Sequence, residues 1–366
     1  MRFHVESREL AAGILSVIKA LPLRTTLPCL EGIFVDAKKD GVHLKCSDLM
    51  LQKECIIRAD VEEEGQAILP GKLTAEFIRK LPANETTIST EGKNVDVSCG
   101  RLKTVFQALE YEDFPEMMFD GETYTIDLKK EDCKNMIMRT SFATAQDDIK
   151  PILGGVLMEL GEELTAVSTD AYQFAMVKVP LKNPVPNKKA VIPARALNEI
   201  SHILDETEKD VQLTFTRTHV KIDIGHTILI ARMLEGNYID YKRILPTEYK
   251  TRVVLNRTEL IDSIDRASLM AREGNNNIVL HFGNNKLMIS SQSFIGKFEE
   301  EIDAQSSGED VDIAFNPKYC LNVLKIISDE KICIDLLSGI SPCVIRPLQG
   351  EAYYYLIVPV RVFSQY

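Results

Sequence analysis

The chain has 366 residues, an apolar content of 45% and a formal net charge of −11. This length predicts two or three domains, and the apolar content suffices for globular cores. With no long apolar run and no signal-peptide pattern at the N-terminus, we expect a cytoplasmic protein without a membrane span, and the acidic net charge taken alone argues against a nucleic-acid partner.

The first element, residues 3–21, predicts a strand that passes through Ser7 into an amphipathic helix. The same pattern begins again near residues 126 and 253. Apolar residues fall at equivalent positions in the three copies: Phe3, Val5, Leu10 and Ile14; Ile126, Leu128, Cys133 and Ile137; and Val253, Leu255, Leu260 and Ile264. The chain is therefore predicted to contain three homologous units.

Alternating apolar and polar runs follow each of these helices and predict antiparallel strands joined by tight turns. A second helix and further strands complete each unit. We therefore predict an α+β fold of three homologous domains, each with two helices packed on antiparallel sheets. The predicted boundaries are 1–122, 123–250 and 251–366, because polar linkers lie near 119–124 and 246–252.

The second helix of each unit follows a turn that Pro70, Pro193 and Asn316 open, each 123 residues after the last. Helical spacing predicts one buried stripe per copy: Leu73, Phe77 and Leu81; Ala196, Ile200 and Leu204; and Tyr319, Val323 and Ile327. A cationic stripe is predicted on the opposite side: Lys72 and Arg79; Arg195 and His202; and Lys318 and Lys325.

An ordinary solvated face explains any one of these helices. Three copies with matched cations favour a surface that binds a polyanion. The predicted helices together carry about twice as many Lys and Arg as Asp and Glu. A basic helix surface on an otherwise acidic body suits a protein that holds DNA on one side only.

Residue patterns for catalysis or metal binding are missing from the sequence. The histidines show no HExxH motif, and the eight cysteines form no CxxC pair and are predicted to be reduced, buried apolar residues. Asp147 and Asp148 fit a solvated loop better than a metal site. We therefore predict no enzymatic activity, cofactor or metal. A DNA-modifying enzyme would need clustered ligands, and a scaffold for proteins alone would leave the matched cations unexplained.

A resemblance is carried by residues 23–33 (LRTTLPCLEGI), 153–160 (LGGVLMEL) with 166–175 (AVSTDAYQFA), 235–246 (EGNYIDYKRILP) and 355–362 (YLIVPVRV). These segments, in this order and spacing, resemble the signature stretches of the bacterial DNA polymerase III beta subunit, the DNA sliding clamp. The resemblance covers the whole chain.

The resemblance implies a head-to-tail homodimer closed into a ring, with strands outside and helices lining the hole. It implies a processivity factor for DNA replication that encircles double-stranded DNA topologically, without sequence preference. The implied protein partners are the replicative DNA polymerase, the clamp loader, repair polymerases and mismatch-repair proteins.

Three groups of site residues follow from the helix cations and from the resemblance. The DNA-binding group is Arg24, Lys72, Arg79, Lys80, Lys134, Arg139, Lys150, Arg195, Lys318 and Lys325; Pro151 and Ile152 stand where some family members have tyrosines, so Lys150 is the expected contact in the loop 146–152. The implied partner-peptide cleft is Leu153, Thr169, Ala171, Tyr172, Gln173, Phe174, Ile239, Arg243, Ile244, Ile357, Val358, Pro359, Val360 and Arg361. The implied dimer interface is Arg101, Lys103, Phe106, Leu269, Met270, Glu299, Glu300 and Glu301.

Overall fold

The computed structural model describes residues 1–110, 113–147, 149–185 and 187–361. The first repeat contains β1 (Arg2–Glu6), α1 (Ser7–Val17), β2 (Gly32–Lys38), β3 (Gly41–Ser47), β4 (Leu51–Ile57), β5 (Asp60–Glu63), β6 (Gly65–Pro70), α2 (Gly71–Ile78), β7 (Glu85–Glu91), β8 (Asn94–Cys99) and β9 (Leu102–Gln107). The second repeat contains β10 (Tyr124–Leu128), α3 (Lys130–Ser141), β11 (Gly155–Leu160), β12 (Glu163–Thr169), β13 (Gln173–Pro180), β14 (Lys188–Pro193), α4 (Ala194–Leu204), β15 (Val211–Phe215), β16 (His219–Asp223) and β17 (Thr227–Arg232).

The third repeat contains β18 (Thr251–Asn256), α5 (Arg257–Arg272), β19 (Ile278–Gly283), β20 (Lys286–Ser293), β21 (Gly296–Ser307), β22 (Val311–Phe315), α6 (Pro317–Ile326), β23 (Lys331–Leu336), β24 (Cys343–Arg346) and β25 (Tyr353–Ile357). Short 3-10 turns cover Ile18–Ala20, Pro28–Glu31, Pro151–Gly154 and Tyr241–Arg243. Within the described ranges, the order of elements is the same in all three repeats except for the additional β5. The predicted α+β class and threefold repetition are confirmed.

The chain forms two compact units. The first comprises residues 1–130 and 195–233 and holds two sheets, ordered β5-β1-β7-β8-β9 and β10-β15-β16-β17-β4-β3-β2-β6. In the larger sheet β4 pairs antiparallel with β17, so strands of the first and second repeats share one sheet.

The second unit comprises residues 131–194 and the chain from 234 onward. Its strands run in the order β14-β11-β12-β13-β25-β24-β23-β18-β21-β20-β19-β22. Here β13 pairs antiparallel with β25, so the second and third repeats also share a sheet. The compact units cut through the second repeat because neighbouring repeats join by pairing their edge strands.

The first strand and helix of each repeat place their apolar residues in the core. All the positions matched in sequence, from Phe3 in the first repeat to Ile264 in the third, are no more than 4% exposed. The cysteines are unpaired, and all but the half-buried Cys29 are buried, as predicted. Burial raises the pKa of thiols such as Cys133, to about 12, so they remain neutral apolar side chains.

The predicted stripe of the second helices is correct in α4 and only partly correct in α2. Ala196, Ile200 and Leu204 are buried, whereas Leu73 is 60% exposed. Phe77 and Leu81 are half-buried, and α2 instead buries Thr74, Ala75 and Ile78. A Cβ atom on Gly71 would lie 2.7 Å from the carbonyl oxygen of Glu31. This close approach at the start of α2 sets the rotation of the helix about its axis, so that the face carrying Thr74 and Ile78 packs on the core. In α6, Val323 is buried and Tyr319 is half-buried, and Ile327, which follows the helix, is buried.

Candidate nucleic-acid interface and partner cleft

The second helix of each repeat carries an exposed cation in its first turn. α2, α4 and α6 begin 123 residues apart, as predicted. The second residue of each helix is Lys72, Arg195 or Lys318, and all three are exposed. A cationic side chain at the N-terminus of a helix, where the helix dipole is positive, suits an anion such as phosphate.

In the first unit, Arg24 and Lys72 line one cavity of about 350 Å³. Leu23 and Leu73 line it as well, and they are 95% and 60% exposed. The structure therefore brings the cation expected from the resemblance beside one expected from the repeat. The sequence pattern indicates neither leucine as part of this cavity, and it predicts Leu73 in the core.

The other predicted cations differ in exposure. Arg79, Lys80, Lys150 and Lys325 are exposed. Asp148, in the loop that holds Lys150, lies outside the described residues. These four side chains are positioned to meet a ligand from solvent.

On α3, the two predicted cations are half-buried. Lys134 is one of them. The guanidinium carbon of Arg139 lies 5.3 Å from the ring centroid of Tyr353, and its Nε atom is buried without a hydrogen-bond partner. Arg139 therefore packs on an aromatic ring and does not project into solvent as the cationic pattern predicted.

Arg195 is exposed but already paired. Its guanidinium forms an ion pair with Asp48 and donates a hydrogen bond of 2.9 Å to the carbonyl oxygen of Lys19. Nearby, Glu199 of α4 lies 4.0 Å from Lys19 Nζ and 3.7 Å from Lys53 Nζ. Burial lowers the pKa of Lys53, although Glu199 opposes this effect.

In the second unit, the predicted cleft residues cluster where β13 meets β25. The backbone N–H of Val358 donates to the carbonyl oxygen of Tyr172 over 2.9 Å. The ring of Tyr172 is 57% exposed and stacks on Tyr319, with centroids 5.6 Å apart. Burial raises the pKa of the Tyr319 hydroxyl, which keeps it neutral. Tyr319 is absent from the predicted cleft residues. Its position directly after Lys318 in the repeated helix is the sequence signal that could have indicated it.

Three of the apolar residues predicted for the cleft are buried. Phe174 and Ile357 are 1% exposed and Leu153 is 5% exposed. Phe174 packs in a core cluster with Tyr241, Leu157, Val167, Val191 and Leu356. Phe174 and Ile357 are thus core residues, which differs from the prediction that they form a surface for a partner peptide.

A polar network shapes the turn between β12 and β13. Thr169 Oγ1 accepts from Ala171 N over 3.1 Å and donates to Gln173 O over 2.8 Å. Ala171 has a φ of 76°, and Thr169 and Gln173 are buried. This strained turn presents Tyr172 to solvent.

The other residues predicted for the cleft are more accessible. Ile239, Val358 and Pro359 are half-buried, and Arg243, Ile244, Val360 and Arg361 are exposed. Arg243 pairs with Asp240 over 2.9 Å. β25 ends at Ile357, and Val360 N donates to Ala314 O over 2.8 Å. The chain thus leaves its strand before Pro359, as the proline predicted.

The predicted dimer residues lie on or near β9 and β21. Arg101 and Lys103 are exposed, and Phe106 is 6% exposed, packed edge-on against Phe77. Val105, missed in sequence, is 52% exposed. Phe106 therefore serves the core of its own chain, and Val105 is the apolar residue that β9 offers to solvent.

All three glutamates of β21 have ion-pair partners within the chain. Glu299 pairs with Lys297 over 2.5 Å, and Glu301 pairs with Lys286 over 3.2 Å. Glu300 accepts two hydrogen bonds from Arg266, which lower its pKa.

The apolar side of this region lies on α5 and at the β20–β21 turn. Leu269 is 63% exposed, and Met270 Sδ lies 3.0 Å from Ser293 Oγ. Phe294 and Ile295, which sequence reasoning missed, are 86% and 61% exposed.

Metal-ligating side chains are dispersed in the part of the chain that the structure describes. No three His, Cys, Asp or Glu side chains there are close enough to hold a metal ion. None of the helices described is long and apolar enough to cross a membrane.

Family models match nearly the whole chain: the N-terminal, central and C-terminal domains of the DNA polymerase III beta subunit match residues 1–118, 127–240 and 242–361. The chain is 31% identical over 376 residues to the beta sliding clamp of Staphylococcus epidermidis and 32% identical over 376 residues to that of Staphylococcus aureus, covering 99% of this chain and 100% of each relative. The crystal structure of the DNA polymerase sliding clamp from Bacillus subtilis has a TM-score of 0.95 and 31% identity, covering 99% of this chain and 100% of that one.

Proposed function

The chain belongs to the DNA polymerase III beta subunit family, the beta sliding clamps, and from this premise we propose that two copies close into a ring around duplex DNA. The ring tethers the replicative polymerase, so the protein acts by topology and not by catalysis. The observation that carries this proposal is the exposed cation at the same helix position in every repeat, Lys72, Arg195 and Lys318.

The DNA surface comprises the first-turn cations together with Arg24, Arg79, Lys80, Lys150 and Lys325, with the half-buried Lys134 at its margin. Phosphate contacts from such side chains are independent of base sequence and sensitive to salt. Retention by closure requires only weak contacts, which permits sliding. The packing of Arg139 on Tyr353 supports leaving it out of this surface.

Ring closure is proposed to repeat the strand pairing seen inside the chain. Where β4 of the first repeat pairs with β17 of the second, Leu51 is opposite Ala231 and Cys55 is opposite Thr227. Where β13 of the second repeat pairs with β25 of the third, Gln173 is opposite Ile357 and Val177 is opposite Tyr353. The strand pairings within the repeats make Leu51 equivalent to Gln173 and Ala231 equivalent to Ile357. Equivalent residues therefore lie opposite each other at both places.

The third repeat's equivalent of β4 and β13 is β21, and the first repeat's equivalent of β17 and β25 is β9. The same register places Thr104 opposite the partner subunit's Phe298 and Lys103 opposite the partner subunit's Glu299. Arg101 then lies beside the partner subunit's Glu301. Because β9 and β21 differ, the interface is heterologous, and two such contacts close a ring.

Leu269, Met270, Phe294 and Ile295 supply apolar area near this junction. The charged pairs contribute only about 0 to 1 kcal/mol each because they are exposed. The apolar contacts stabilise the dimer, and the charges select the correct pairing.

The cleft beside Tyr172 is proposed to bind a short peptide of the replicative polymerase, the clamp loader, repair polymerases and mismatch-repair proteins. Its rim, with exposed Ile244 and Val360 and half-buried Val358 above a packed floor, suits extended segments with aromatic or leucine anchors. A small apolar site allows partners to exchange because a peptide bound through a small interface dissociates quickly. These partners act in the cytoplasm on the chromosome.

Retention on circular DNA tests the proposed function. The protein is loaded onto nicked circular plasmid by a clamp loader, separated by gel filtration and assayed before and after the plasmid is cut once. Topological binding predicts retention on the circle and loss from the linear product at the same salt. Equal retention on both would show ordinary surface binding and contradict the proposal.

A further inference from the structure

The three first-turn cations differ in the charges around them. Arg195 forms an ion pair with Asp48, whose side chain is 9% exposed, and Arg195 itself is 51% exposed. Within the described residues, Lys72 and Lys318 form no ion pair. The second repeat therefore presents a cation that is already neutralised, whereas the first and third present free ones.

Asp48 is held in place by the turn between β3 and β4. Its Oδ1 atom accepts hydrogen bonds from Met50 N over 2.9 Å and Leu51 N over 2.7 Å. The Oδ2 atom is the one that meets Arg195. The carboxylate is thus fixed by backbone groups before Arg195 reaches it.

The equivalent acid of the second repeat explains why only one cation is paired. Asp170 Oδ1 likewise accepts from Tyr172 N and Gln173 N, over 2.9 and 2.8 Å. Its Oδ2 atom, however, accepts from the Gln173 side-chain amide over 2.9 Å. The residue equivalent to Gln173 is Leu51, which has no amide, so the Oδ2 atom of Asp48 is available to Arg195. Lys318, the cation equivalent to Arg195, is left without a carboxylate partner.

The surrounding charges do not reverse this neutralisation. Glu199, four residues after Arg195 on the same helix, lies 4.0 Å from Lys19 Nζ and 3.7 Å from Lys53 Nζ. It is therefore engaged with two lysines and does not draw Arg195 away from Asp48.

We propose that Asp48 holds Arg195 in a neutral pair and so weakens the clamp's grip on the duplex at that helix. This inference rests on the proposed DNA surface. A guanidinium paired with a fixed carboxylate adds no net positive charge, so it displaces no counterion from DNA unless phosphate first displaces Asp48. Asp48 thereby limits the attraction between α4 and the phosphates, which would otherwise slow the sliding of the ring.

The test measures the diffusion coefficient of single loaded rings on stretched duplex DNA across a range of salt concentrations. Asp48→Asn is expected to slow diffusion and to steepen its salt dependence, because the released guanidinium can neutralise one more phosphate in each subunit. Leu51→Gln should also free Arg195 from its ion pair, because the new side-chain amide can donate to Asp48 Oδ2 as the Gln173 amide donates to Asp170 Oδ2. Asp170→Asn, at the equivalent position without a paired cation, is the matched control and should diffuse like wild type.

Arg195→Gln completes the comparison. Alone it should change diffusion less than Lys318→Gln, and combined with Asp48→Asn it should abolish the slowing. Faster diffusion of Asp48→Asn would mean that Asp48 positions Arg195 for phosphate, and would overturn the inference. Unchanged diffusion of folded Asp48→Asn and Leu51→Gln would also overturn it. In either case an effect of Lys318→Gln would leave the proposed DNA surface standing, and no effect of Lys72→Gln or Lys318→Gln would refute that surface itself.

Discussion

The rings of Tyr172 and Tyr319 stack in parallel, with centroids 5.6 Å apart and planes 7° apart. Tyr172 follows Ala171, whose φ of 76° turns the chain outward. Tyr319 lies in the first turn of α6 and is half-buried, so it holds the exposed Tyr172 ring in position. The stack forms a rigid aromatic wall against which a partner's anchor side chain can pack.

Peptide affinity should depend on this wall. Tyr172→Ala combined with Val360→Ala is expected to weaken binding of a fluorescent QLxLF-type peptide by at least tenfold, since central aromatic contacts are worth about 2 kcal/mol or more. Fluorescence anisotropy measures the affinity, and gel filtration verifies the dimer. Tyr172→Phe keeps the stacked ring and should retain binding. Unchanged affinity of the folded double variant would place the partner site elsewhere.

How far the sequence predicts the fold depends on how local the signal is. The strand and first helix of each repeat are correct at every matched position, because alternation and helical spacing report burial directly. Leu73 was assigned wrongly because the orientation of α2 depends on the contact of Gly71 with Glu31, which is distant in sequence. Short helices tolerate such rotation, since few side chains fix their orientation.

The candidate site is predictable in its positions and not in its pairings. The repeat located Lys72, Arg195 and Lys318, yet nothing in the local sequence links Arg195 to Asp48, which lies 147 residues away. Likewise the cationic pattern predicts that both Lys318 and Arg139 are exposed. Arg139 is instead half-buried because it packs on Tyr353, a tertiary contact that the pattern does not contain.

The proposed DNA surface predicts that variants with reversed charge bind DNA more weakly. Lys72→Glu with Lys318→Glu should speed diffusion of loaded rings, shorten residence and flatten the salt dependence, because phosphate contacts are replaced by repulsion. Processive synthesis at moderate salt should fall as well. Lys39→Glu, an exposed cation in the β2–β3 turn, is the control for net charge. If both variants support synthesis as wild type does, the helix ends do not face DNA.

Stability should fall in acid through Asp335. Burial on its own would raise the pKa of Asp335, but hydrogen bonds from Arg252 and Arg346 hold it below its ordinary value. As the pH falls, the unfolded chain binds this proton first. The stabilisation is therefore complete above about pH 5 and is lost as the pH falls below about 4.

Asp335→Asn should lower the free energy of unfolding at pH 7 by about 3 kcal/mol, because it leaves two arginines without their carboxylate. Urea midpoints at pH 7 and at about pH 3, below the unfolded pKa of an aspartate, test this, and the variant should lose less stability between them than wild type. The exposed Asp60→Asn serves as the matched control. A variant as acid-sensitive as wild type would assign the acid loss to other groups.

The proposed ring register predicts which cysteines meet across the dimer. Residues directly opposite on antiparallel strands have Cβ atoms about 4.5 to 5.5 Å apart, and a slip of one residue turns each side chain to the other face. Thr104→Cys with Phe298→Cys should therefore form a covalent dimer with a short thiol-specific crosslinker. Val105→Cys with Phe298→Cys, one residue out of register, should not. Native thiols interfere little because all but Cys29 are buried, and Cys29→Ser removes that one. Denaturing gels report the product: crosslinking of the control pair would shift the register by one, and crosslinking of neither would mean that β9 and β21 do not join.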